Sequence, residues 1–126
     1  MVNEGREIEY FMKIRQVVEE LSLSVLAGED FLEQEVHWGY CCDLLSRVMS
    51  KGKKGGLWIT VQTHMNIVAV AVLTEIACIV IPEGIQVEEE VLKKAENEGV
   101  VILSSDMTAF ELAGKLYKMG IGPWSE

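Results

Sequence analysis

Leu57–Ala71, LWITVQTHMNIVAVA, passes from one apolar run through a polar corner into a second. The first run, Leu57–Val61, is short and rich in β-branched residues, as a buried strand is. The second continues to Ala77, apolar on nearly every side. Periodicity cannot separate strand from helix there, but its 12 residues predict a buried helix over Asn66–Ala77. Strand, polar corner and helix in that order make the first half of a βαβ unit.

The same order recurs on both sides. Upstream, Val36–Tyr40 reads as a strand that enters the polar corner of GYCCDLLS, Gly39–Ser46. Asp43 stands at the N-cap position of a helix through Leu44, Leu45, Val48 and Met49, which stops at Gly52. Downstream, Ile79–Ile81 and Val100–Leu103 read as two more buried strands. Between them Glu88–Glu98 forms a helix with Val91, Leu92 and Ala95 on one face, Glu89/Lys93 and Glu90/Lys94 paired four apart, and Gly99 as its C-cap. A last helix opens on the capping box Thr108-Ala-Phe-Glu111, buries Ala109, Leu112, Ala113 and Leu116, and ends at Gly120 ahead of Pro123. Near the N-terminus, Ile14, Val17, Val18 and Leu21 mark an amphipathic helix. The short apolar segment Leu23–Leu26 and the acidic connection Glu29–Gln34, which has room for a helical turn, follow it. Alternation from Val36 to Met119 predicts an α/β fold: a single compact domain over residues 12–126, with a mainly parallel sheet flanked by helices, after an N-terminal extension of residues 1–11.

Bulk properties narrow the function. The 126 residues suit one domain, and 49% hydrophobic content supplies a core. A net charge of −9 opposes the phosphate neutralisation on which general nucleic-acid binding depends. The longest uninterrupted apolar run, Ile67–Leu73, is far short of a membrane span, and the acidic start MVNEGREIEYF is unlike a signal peptide. The expected setting is cytoplasmic, with no membrane or nucleic-acid partner. Three cysteines, two of them adjacent at Cys41 and Cys42, with no C-x-x-C, are expected to be reduced thiols.

In parallel α/β sheets ligands bind beyond the carboxyl ends of the strands. That rule selects three corners as ligand-binding candidates: Tyr40, Asp43 and Ser46; Thr63, His64 and Asn66; and Ser104, Ser105, Asp106 and Thr108. Their hydroxyls and amides, beside helix N-termini, suit a small anionic or nucleotide-like ligand. The same residue types also cap helices, so each corner has a purely structural reading too. Two other functions compete: a small phosphotransfer or hydrolytic enzyme using His64 with Asp106 or Asp43, and a metal or redox accessory protein using Cys41 and Cys42. Adjacent cysteines seldom give both sulfurs to one tetrahedral metal, and Cys78 sits in an apolar run as a core residue would. The basic turn Ser50–Gly56 follows a helix and precedes a strand, the reverse of a P-loop, and the acids Glu88–Glu90 suit a helix N-terminus. Whether a cofactor binds is left open by these residues. The nearly all-apolar Asn66–Ala77 segment predicts a homodimer, because a small domain has little of its own surface with which to cover it.

The stretches VVEELSLSVLAG, GYCCDLLS, LWITVQTHMNIVAVAVL and LSSDMTAFELAGKLYKMGI carry a resemblance to the DRTGG domain, from about Met12 to Met119. This α/β module is related to the N-terminal domain of HPr kinase/phosphorylase and occurs also in phosphotransacetylases and CBS-domain pyrophosphatases. The chain departs from the family pattern at two places. Gln62-Thr63-His64 stands where many members have a Gly-Asp-Arg-like corner, and Pro82-Glu83-Gly84 where a Gly-Gly turn is usual. The kinase's ATP site belongs to a separate P-loop domain whose motif is not found here. The resemblance therefore implies a non-catalytic regulatory module, and stand-alone members look like companions of redox enzymes such as iron hydrogenase systems.

Overall fold

The computed structural model describes residues 11–125, so the expected N-terminal extension, apart from Phe11, lies outside the described residues. The chain makes strand β1 (Met12–Lys13), helix α1 (Ile14–Leu21), strand β2 (Ser24–Ala27), a single 3-10 turn at Glu29–Phe31, and strands β3 (Glu35–Val36) and β4 (Trp38–Cys41). It then alternates through α2 (Leu45–Lys51), β5 (Gly56–Ile59), α3 (Asn66–Thr74), β6 (Cys78–Ile81), α4 (Glu89–Glu98), β7 (Val101–Ser104) and α5 (Ala109–Lys118). The main sheet has the order β2-β7-β6-β5-β4, with β4 to β7 parallel and β2 antiparallel at one edge. β1 and β3 form a separate antiparallel ribbon.

Period-two alternation splits the core into two layers. Leu57 and Ile59 of β5, Cys78 and Val80 of β6, and Val101 and Leu103 of β7 face α1 and α5, where Ile14, Val17, Leu112 and Leu116 meet them. Trp58, Ile79, Ile81 and Ile102 face the opposite way, onto Val48 of α2, Ile67 and Ala71 of α3, and Val91 and Ala95 of α4. Nearly all of these side chains are fully buried, each apolar one stabilising the fold by roughly 1.5–3 kcal/mol. The three crossover helices α2, α3 and α4 share one face because β4 to β7 are laid down in a single direction. The strand order never reverses along that run. The crevice that opens where neighbouring crossovers diverge to opposite faces is therefore missing from the parallel part of the sheet.

Four expectations change. The helix over Asn66–Ala77 ends at Thr74, where Glu75 takes the left-handed conformation at φ 59° and Ile76 and Ala77 lead into β6. Because no glycine marks that turn, the apolar run conceals it. The strand over Val36–Tyr40 is two strands, interrupted at His37, with β3 pairing to β1 and β4 to β5. The segment Leu23–Leu26 contributes to an antiparallel edge strand, with a register shift between Val25 and Ala27 where it pairs with β7. Asp43 is not the N-cap of α2: Leu44 holds that position without a side-chain bond.

Past α5 the tail closes the other edge. The Gly39 N–H donates to the Gly122 carbonyl at 2.8 Å, and Ile121 is buried beside Gly39. Trp124 stacks edge-on against Trp38 at 5.7 Å, with the Lys53 ammonium 5.9 Å from the Trp124 ring.

A rim pocket at the carboxyl ends of the parallel strands

Parallel pairing puts the segments that follow β4, β5, β6 and β7 on one rim. Asp43 organises its centre. Instead of capping α2, its Oδ1 accepts hydrogen bonds from Thr60 Oγ1 at 2.8 Å and from the Val61 N–H at 2.9 Å, while its carbonyl accepts from Gln62 Nε2 at 2.9 Å. Thr60 Oγ1 in turn accepts from the Gln62 N–H at 3.1 Å, and the Trp58 indole N–H donates to the Cys42 carbonyl at 2.8 Å. The buried Thr60 hydroxyl thus has both a donor and an acceptor. Around this knot lies a cavity of about 120 Å³, lined by Cys41, Cys42, Asp43 and Thr60, with Pro82 after β6 and Ala109 at the start of α5. Among the described residues no lysine or arginine lines it.

Of the ten sequence candidates, only Asp43 lines this cavity. His64 is exposed, stands just before Met65, the N-cap of α3, and its Nδ1 accepts the N–H of Asn66, the first residue of that helix, at 3.1 Å. Among the described residues neither Asp43 nor Asp106 hydrogen-bonds to it. Ser105 is buried, and its Oγ accepts the Met107 N–H at 3.0 Å. Thr108 forms the expected capping box with Glu111. Thr63, Asn66, Ser46 and Asp106 stand on or near the rim without lining the cavity, as do Tyr40 and Ser104. Burial, and then the neighbouring Cys42 thiol, pushes the Tyr40 hydroxyl up.

Pattern reading overlooked Thr60, which lies inside the run Leu57–Val61. A lone hydroxyl near the end of a buried apolar strand is the signal that identifies it, since such a group must find a partner. The loop after β6 also contributes. Glu83 and Gly84 both have positive φ, at 60° and 63°, and the Ile85 N–H bonds to the Pro82 carbonyl, as in a type I′ turn. The Glu83 and Gly84 N–H groups then reach the Met107 and Ser105 carbonyls, both at 2.8 Å, and fasten this loop to the third corner.

Partial burial, and then the Asp43 carboxylate, pushes the Cys41 thiol up, disfavouring the thiolate that metals and nucleophilic chemistry use. Burial alone pushes Cys78 up to about 12. Among the described residues no three His, Cys, Asp or Glu side chains gather as a metal ion requires, and no helix is long and apolar enough to cross a membrane. A wider groove of about 720 Å³ lies at the opposite, amino-terminal edge of the parallel strands, away from every sequence candidate.

No curated protein matches this chain. Among solved structures its fold is similar to the CBS and DRTGG domains of the regulatory region of Clostridium perfringens pyrophosphatase, complexed with the activator diadenosine tetraphosphate. The TM-score is 0.68 at 10% identity, over 85% of this chain and 46% of that one. This chain thus spans less than half the length of that structure, and at such identity the likeness is one of fold. The model of the DRTGG domain matches residues 16–119, which include the whole parallel sheet and all but the first two residues of α1, and the chain belongs to the DRTGG domain family.

Proposed function

We propose that this DRTGG domain is a regulatory module whose rim pocket takes part of a small nucleotide-like ligand. The observation that carries the reading is the convergence on one cavity of four segments: the turn after β4, the end of β5, the loop after β6 and the start of α5. A ligand seated there bears on all four segments at once, and occupancy then alters the rim presented to a partner. With Asp43 in the wall and no lysine or arginine among the described residues, the pocket suits a hydroxyl or amino group, as a ribose supplies. The anionic part of the ligand then lies outside it, toward the N-terminus of α5. The activator bound to the pyrophosphatase regulatory region supports the nucleotide class.

On this reading residues 12–126 form one regulatory unit, cytoplasmic and related to the N-terminal domain of HPr kinase/phosphorylase, that acts on a partner enzyme, a redox enzyme among the candidates. It works as a homodimer. Ala69 and Leu73 stand four apart on the outer side of α3, Leu73 is 69% exposed, and Met49 on neighbouring α2 adds apolar surface. Leu73→Glu should leave stability unchanged and give a monomer by light scattering; a wild-type monomer at micromolar concentration would remove the dimer from the reading.

The ligand is tested by thermal unfolding and amide spectra with phosphate, acetyl phosphate, ATP and diadenosine tetraphosphate, because a ligand selective for the native state stabilises it. A rise in Tm with a nucleotide, lost in Asp43→Asn, is the expected result. Unchanged spectra and Tm with all four would overturn it.

A further inference from the structure

The groove at the amino-terminal edge has a chemistry unlike the rim. Its floor is apolar: Ala71, Ile76 and Ala77 are buried beneath it, and Val72, 42% exposed, forms its shoulder. Its walls are acidic, with Glu33 and Glu35 from the segment leading into β3, Glu75 from the end of α3 and Glu98 from the end of α4, against Lys54 and His37 among the described residues. Two helices also end here. Glu75 is the C-cap of α3 and Glu98 the last residue of α4, so both carboxylates stand at the negative ends of helix dipoles, and neither helix has a basic residue in its last turn.

Intramolecular partners neutralise these acids unevenly. Glu33 is held by Lys13 and Arg15, Glu98 by Lys94 at 3.3 Å, and Glu35 faces His37 Nε2 at 3.1 Å. Glu75 has no ion pair among the described residues. Uncompensated negative charge is thus concentrated at Glu75 and the two helix C-termini, with Glu35 opposite a histidine, over an apolar floor, which is the complement of a chain whose apolar side chain is flanked by cations. A metal ion does not fit, because the carboxylates do not converge and the space greatly exceeds a coordination shell. Lysine and arginine do, since each lays an apolar stem along such a floor while its charged head stays at the rim.

We propose that this groove docks a short basic segment of a partner protein, with lysine or arginine heads at Glu35 and Glu75 and an apolar side chain on Val72 and Ile76. The assignment does not depend on the rim ligand, which lies at the other end of the strands.

The test is an amide-shift titration of the whole chain with the peptide acetyl-Lys-Arg-Leu-Arg-Lys-amide at low salt, alongside the same peptide with serine in place of leucine. Saturable shifts are expected at Gly55, Val72, Ile76, Ala77 and Gly99. Affinity should fall at least fivefold in the double variant Glu35→Gln/Glu75→Gln, and at least threefold with the serine peptide. The exposed pair Glu89→Gln/Glu90→Gln, at the start of α4, removes the same charge elsewhere and should leave affinity unchanged. Equal losses in the two double variants would show attraction to net charge alone, and equal affinity of the two peptides would show that the floor takes no part. Either result, or the absence of saturable shifts at millimolar peptide, would overturn the proposal.

Discussion

Asp43 and Thr60 are 17 residues apart, yet the carboxylate of one accepts the hydroxyl proton of the other at 2.8 Å, binding the turn after β4 to the end of β5. Thr60 is 1% exposed, so its hydroxyl has no water to fall back on. Thr60→Val keeps the shape and removes the bond to Asp43 along with the acceptor for the Gln62 N–H. It should cost about 1–3 kcal/mol in urea unfolding. A double-mutant cycle with Asp43→Ala should show coupling of about 1 kcal/mol or more; additive losses would mean that the two groups act separately.

Glu83 occupies a left-handed position that its side chain disfavours. Glu83→Asn should raise stability by about 1 kcal/mol, since asparagine tolerates this conformation better and the Glu83 N–H bond to Met107 is retained. A loss of stability would show that the glutamate side chain makes a compensating contact.

Gly28 and Gly114 should respond to alanine in opposite ways. At Gly28 φ is +84°, and a Cβ would stand 2.8 Å from Val101 Cα and 2.9 Å from the Val100 carbonyl oxygen, so Gly28→Ala should cost about 3 kcal/mol. Gly114 lies inside α5 with nothing within 4 Å of the added atom. There Gly114→Ala should stabilise by about 0.5–1 kcal/mol. Thermal melts of the two variants are sufficient to decide.

Cys78 should make the fold alkali-sensitive. Its thiol is held at about 12 in the native state, whereas the unfolded chain releases that proton near the ordinary thiol value of about 8.5. Between those values the unfolded state binds fewer protons, so stability falls as pH rises. Cys78→Ala removes this contribution. Its stability relative to wild type should improve by about 2 kcal/mol between pH 8 and pH 10; parallel stability curves would show that Cys78 does not titrate on unfolding in this range.

Local signals were legible in the sequence. The Thr108–Glu111 capping box, Gly52 and Gly99 at helix ends, and the apolar runs of β5, β6 and β7 each depend on residues a few positions apart, and each stands where the pattern put it. Non-local demands were not legible. Ser24–Ala27 becomes a strand because β7, about 80 residues further along the chain, accepts it antiparallel, and nothing in SVLA itself specifies that pairing. Asp43 carries the spacing of an N-cap, but the buried Thr60 hydroxyl and the Val61 N–H compete for its carboxylate. His64 has the residue type of catalysis, but its Nδ1 is engaged by the N–H of Asn66 at the start of α3. Three corners were visible as corners, but the cavity takes only the first of them, with the end of β5, Pro82 and Ala109, a selection that depends on register and turn geometry.

The bond from Gly39 to Gly122, with Trp124 against Trp38, decides how copies of this chain are able to meet. A bare outer strand is a template on which another polypeptide adds its own backbone. Here the tail already occupies that position on β4, so the sheet does not continue at this edge from one molecule into the next. Cleavage after Met119 would uncover the Gly39 backbone donor together with the Trp38 indole, and so leave this margin open to an added strand.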